Sequence, residues 1–223
     1  MEKIEVLGKV YYQIPETFAK SIIHCEGNHL SYTHVIVLWD RHNEYECMIM
    51  SDLIMHRIGQ KKFEQILCLL DPLITEAVLL GDLIKGEKEE FETYRQMLFS
   101  ATVSADTINY LMEMARINIY GVGESLKFNC DSAFIRYGIY KAVLFSAFAK
   151  QYLLWPKITS VTRLLMESRY PLLNQAQSMM DHRHEWGRDE CIPAYEQAKD
   201  FVEEVAIKIA TYPVKPPKMA ILH

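Results

Sequence analysis

The segment DSAFIRYGIYKAVLFSAFAKQYLLW, residues 131–155, constrains the fold more than any other stretch. Beyond Asp131 its only charges are Arg136, Lys141 and Lys150, too few to give so long a helix a solvated face. A helix that is apolar on every side has to be covered on every side, so further helices must pack around it. Asp131 stands where an N-cap is needed. The most apolar part, AVLFSAFA at 142–149, is closed off by Lys141 and Lys150 and is too short to cross the roughly 30 Å of a bilayer's hydrocarbon. The segment reads as the centre of a bundle, and no membrane span is expected.

The covering helices are legible on both sides of it. Residues 105–128 read as one helix weakened by Gly121 and Gly123, or as two. Pro156 and Pro171 mark places where helices begin. Residues 190–211 put Ile192, Tyr195, Ala198, Phe201, Val205 and Ile209 on one face, with Glu203, Glu204 and Lys208 outside. A helical bundle over 101–212 follows, with an extended proline-rich tail at 213–223.

The first hundred residues mix signals, so the expected class is α+β: a small mixed sheet with helices, then an antiparallel helical bundle. Residues 3–13 read as one strand or two short ones, and Pro15 opens a helix to about His24. THVIVLWD (33–40) is a continuous apolar run, as in a strand covered on both faces. A polar hinge then leads into EYECMIM, which alternates, so 33–50 reads as a hairpin. Ser51 and Asp52 suit the start of a helix reaching Leu70, where Asp71-Pro72 breaks it. EAVLLG (76–81) reads as a third strand, and 85–98 as a charged surface helix.

A net charge of −5 argues against a dominant interaction with nucleic-acid phosphates. Five cysteines, odd in number and without a CxxC, suggest reduced thiols in a cytoplasm rather than a disulfide framework or a zinc knuckle. Cys47 and Cys68 read as packing residues. GVG at 121–123 has no preceding strand, so it lacks the context of a dinucleotide loop. His182 and His184 point about 200° apart on a continuing helix and would share no metal there, whereas in a loop or a frayed helix end they could. Arg169, Arg183 and Arg188 have no histidine five to seven residues on, as HEPN-type ribonucleases would require.

Asp40, Glu44 and Glu46 sit at the hinge and in the second strand, where strand ends bring carboxylates together for metal-dependent phosphoryl or nucleotidyl transfer. The plain alternative is a solvated strand edge. Tyr152, Trp155, Lys157 and Arg163 gather aromatic and basic groups suited to stacking on a base and neutralising phosphates, or to a buried corner with solvated cations.

The order of these elements, carried by VIVLWD, YECMIMSDL, AVLLGDLIKGEKEEFETYRQML and SAFAKQYLLWPKITSVTRLLM, resembles the nucleotidyltransferase fold of the kanamycin nucleotidyltransferase type. The resemblance implies a nucleotidyltransferase-like α/β domain over 1–100 whose chemistry is closed by the helical half. It implies a nucleotide or small-molecule ligand in the cleft between the halves, bound by Asp40, Tyr152, Lys157 and Arg163. The family's Gly-Ser pair and Asp-x-Asp are absent: the strand begins Ser31-Tyr32-Thr33-His34. Glu46 alone fills an acidic position, as the one catalytic candidate. The site therefore looks degenerate, with magnesium entering only if the chain is active, and whether it is an enzyme stays open. The alternative is a non-catalytic interaction protein acting through its helical bundle as a homodimer.

Overall fold

A computed structural model of the chain describes residues 2–6, 9–14, 19–25, 33–39, 45–49, 53–167 and 169–211. It forms two compact units, one of residues 1–28, 32–68 and 73–100, the other of 29–31, 69–72 and 101–223. The class is α+β, with a mixed sheet in the N-terminal half and helices thereafter.

In the first unit, β1 (Glu2–Val6) and β2 (Lys9–Ile14) form a separate antiparallel pair. The main sheet has β3 (Ala19–Cys25), β4 (Thr33–Trp39), β5 (Tyr45–Ile49), β6 (Leu53–Gly59) and β7 (Asp82–Lys85) in the order β5-β6-β4-β3-β7. β4 and β6 run parallel and the other pairs antiparallel. The helices are α1 (Gln60–Cys68), α2 (Pro72–Leu80) and α3 (Lys88–Ser100).

Four expectations are corrected here. The segment expected to be a helix from Pro15 to His24 is strand over 19–25, because Ser21 to Cys25 are buried between two hydrogen-bonded neighbours. β4 and β5 are not a hairpin: β6 lies between them and β5 takes the edge. β6 itself was expected to open a helix. Its apolar residues serve either period, but Leu53 and Met55 fill one face while Ile54, His56 and Ile58 fill the other, and only a strand buries both. Finally, all of EAVLLG but its glycine belongs to α2, where a continuous apolar run closes a helix buried over Pro72 to Val78. The strand that follows is the more polar Asp82–Lys85.

α2 ends at a designed stop. Arg95 on α3 donates from Nε to the Val78 carbonyl (3.0 Å) and from Nη2 to the Gly81 carbonyl (3.0 Å), satisfying groups the helix leaves open. Gly81 has no room for a side chain, since a Cβ there would lie 2.9 Å from the His24 carbonyl of β3.

The second unit holds α4 (Ala105–Lys127), α5 (Ser132–Leu154), α6 (Val161–Met166), α7 (Pro171–Asp181) and α8 (Arg188–Thr211), with a short 3-10 turn at Arg183–Glu185. α4 is one helix through both glycines, started by a capping box of Ser104 and Thr107. Asp131 caps α5 by accepting from the Ala133 amide, and α5 packs against α4, α7 and α8. Its charges are absorbed: Arg136 donates to the Trp186 carbonyl at 2.6 Å, and Lys141 lies over the Tyr137 and Phe145 rings. Pro171 begins α7, whereas α6 begins after Ser160 rather than at Pro156. The buried face of α8 is Cys191, Ala194, Ala198, Val202 and Val205, which leaves Ile192 outside. The tail at 213–223 lies outside the described residues. Among those residues no helix is long and apolar enough to cross a membrane.

Candidate functional site

The β4–β6–β5 ladder brings the polar side chains of the first unit together. Residues opposite one another on paired strands share a face. On one face Val37, Arg57 and Glu46 form a row across the three strands. Arg57 Nη1 lies 3.6 Å from Glu46 Oε2, and its guanidinium carbon is 5.3 Å from the centre of the Trp39 ring. Trp39 and Met48 pack beside the apolar cluster of Ile22, Val35, Val37, Leu53 and Met55. Among the described residues, the Arg57 Nε–H and the Trp39 indole N–H find no acceptor.

The opposite face carries a chain that sequence reasoning missed. Tyr45 Oη and His56 Nδ1 are 2.9 Å apart, and His56 Nε2 and His34 Nδ1 are also 2.9 Å apart. The rings stack, with the imidazole centroids 5.2 Å apart. His56 has no exposed surface. Cys25 lies opposite His34, and Cys47 opposite His56. The signal for this chain was a histidine in each of two apolar runs, at positions whose strand periodicity turns them inward.

Several polar groups are spent on structure. Lys20 on β3 donates to Glu90 on α3 (2.8 Å) and to Gln60 on α1 (2.9 Å), while Gln60 and Tyr94 both donate to Glu90. Burial, then the Glu90 carboxylate, drives the Tyr94 hydroxyl well above its ordinary range. Burial, aided by Glu76 and Asp82, pushes the Cys25 thiol up to about 12. A thiol so held stays protonated and is a poor nucleophile.

Of the sequence candidates, Glu46 is on the edge strand of the first unit, its side chain 55% exposed. Asp40 and Glu44 lie outside the described residues. The remaining four, Tyr152, Trp155, Lys157 and Arg163, belong to the second unit. Tyr152 is buried in α5, its hydroxyl raised by burial; Lys157 is exposed just after that helix; Arg163 is exposed and paired with Glu167 at 3.1 Å. Trp155 is exposed and Cys68, expected in packing, is exposed at the end of α1. His182 ends α7 and His184 sits in the 3-10 turn, both exposed. Among the described residues no three metal-binding side chains gather.

No family model matches the chain, and no curated protein matches it. Among solved structures it is similar to a nucleotidyltransferase-like protein from Exiguobacterium sibiricum 255-15, at 10% identity and a TM-score of 0.40, over 87% of this chain and 72% of that one. A likeness of that degree does not single out the kanamycin type.

Proposed function

We propose that this is a nucleotidyltransferase-like protein with a degenerate site, which binds a nucleotide or small anionic substrate without metal-dependent transfer. The observation that supports the reading is the Arg57 guanidinium, set between the Glu46 carboxylate and the Trp39 ring, with an Nε–H that finds no acceptor among the described residues. A guanidinium is the side chain best shaped to grip phosphate oxygens in pairs, and it needs an orienting partner. Glu46 supplies that partner. Two-metal transfer needs two or three converging carboxylates, and here the described acidic candidate faces an arginine at 3.6 Å. In this reading Glu46 positions Arg57 and does not hold magnesium.

Calorimetric titration of the full chain tests this. ATP is expected to bind with or without magnesium, magnesium alone to give no heat, and Glu46→Gln to weaken binding without abolishing it, since the amide oxygen still accepts from Arg57. Binding that demands magnesium and disappears in Glu46→Gln would instead establish a metal-using transferase.

A second reading, a non-catalytic interaction protein acting through its helices, is favoured by a separate observation. An apolar groove of about 470 Å³ runs along α4 and α8.

A further inference from the structure

The α4–α8 groove is floored by Ile119, Val202 and Ala206 and edged by Tyr120 and Ile207, which are 72% and 65% exposed. Large apolar side chains held this far into water on two adjacent helices mark a surface that gains from being covered. α8 presents Lys199 and Glu203 along the groove, one turn apart, and α4 adds Arg116. Neither Lys199 nor Glu203 is in an ion pair among the described residues, although neighbouring Glu204 is held by Lys150 and Lys208.

This arrangement is self-complementary. A two-fold axis crossing α8 between positions 199 and 203 exchanges the two ends of that turn. Lys199 of one copy then meets Glu203 of the other, twice, across a floor centred on Val202. We infer that the groove is the interface of a homodimer, with a second copy of this chain as its occupant. An interface of this kind has an apolar middle and charges at its rim that set orientation. The inference deepens the second functional reading and is independent of nucleotide binding at the sheet, so either stands if the other fails.

Sedimentation equilibrium on the full chain and three variants tests it. The wild type is expected to dimerise at micromolar concentration. Lys199→Glu and Glu203→Lys each set like charges against each other at two symmetric places, and each should weaken the dimer by about tenfold or more. The double exchange, Lys199→Glu with Glu203→Lys, should restore it to near wild-type strength. Both positions are exposed, so circular dichroism should be unchanged in all three, and melting of the singles should fall only by what a like-charge i,i+4 pair and the lost association cost. A wild type that remains monomeric overturns the inference, as do single variants that dimerise normally or a double variant no better than the singles. A monomer whose melting temperature rises with decanoate assigns the groove to a small amphipathic anion and overturns it too.

Discussion

Glu46 and Arg57 are direct cross-strand partners on β5 and β6, and the same guanidinium that meets the Glu46 carboxylate lies over Trp39. The two halves of this arrangement differ in weight. The ion pair is more than half exposed on the glutamate side and contributes little to stability, whereas Arg57 also lies over the Trp39 ring. Glu46→Gln should therefore cost under about 0.5 kcal/mol. Arg57→Ala should cost about 1–2 kcal/mol through lost packing and the lost cation–π contact. Urea unfolding of the two variants checks the order.

His56 is a load on the other face. Replacing it with alanine opens a cavity at a fully buried position and takes a hydrogen-bond partner from both Tyr45 and His34. A loss of about 3 kcal/mol is expected, against about 1 kcal/mol for Tyr45→Phe at the half-buried edge. The same unfolding curves measure it.

Two helical glycines should respond with opposite signs. Nothing lies within 4 Å of a Cβ at Gly121 in α4, so Gly121→Ala should raise stability by about 0.5–1 kcal/mol through helix propensity. At Gly138 in α5 a Cβ would meet Val122 Cγ2 at 2.5 Å, where α4 and α5 pack. Gly138→Ala should cost about 1–3 kcal/mol, because a packed neighbour has to move. Thermal melting separates the two.

Cysteine chemistry gives a pH prediction. Cys68 and Cys130 are exposed and should react rapidly with a thiol reagent, while Cys25 and Cys191 should react only on unfolding. The Cys25 thiol has an ordinary value of 9.0 and is held up to about 12 in the fold. Below 9.0 both states keep the proton and this contribution to stability is complete. Between 9.0 and about 12 the unfolded chain releases the proton while the folded chain retains it, so stability falls as pH rises. The slope from this group approaches about 1.4 kcal/mol per pH unit. Tyr94 and Tyr152, also raised, steepen the fall at the alkaline end. The urea midpoint, followed upward through pH 9, should drop; a flat profile would contradict the burial of Cys25.

The helical half was the more legible part of the sequence because its main signals had one meaning, although Pro156 starts no helix and Gly121 and Gly123 break none. A long stretch with few charges had to be a covered helix, and Asp131 and Pro171 fixed helix starts through their own chemistry. In the sheet half, short apolar runs fit either period, and tertiary pairing decided. Ile54 and Ile58 satisfy a helical stripe and a strand face alike, so β6 was misread, and the place of β5 followed from that error. Of the candidate site, Glu46 was visible as an acid, with Glu44, on one side of an alternating strand. Arg57 was not, because its pairing depends on a register that no local pattern announces, and the His34–His56 contact depends on the parallel β4–β6 alignment in the same way.

The most direct test of the account is the melting temperature of the wild type and of Arg57→Gln with ATP in the presence of EDTA. A ligand that prefers the folded state raises that temperature. The wild type should show a rise without any metal, and Arg57→Gln should show none. An equal rise in both, or a rise that appears only when magnesium replaces EDTA, would contradict the central claim that an arginine held by Glu46 takes the place of the metal.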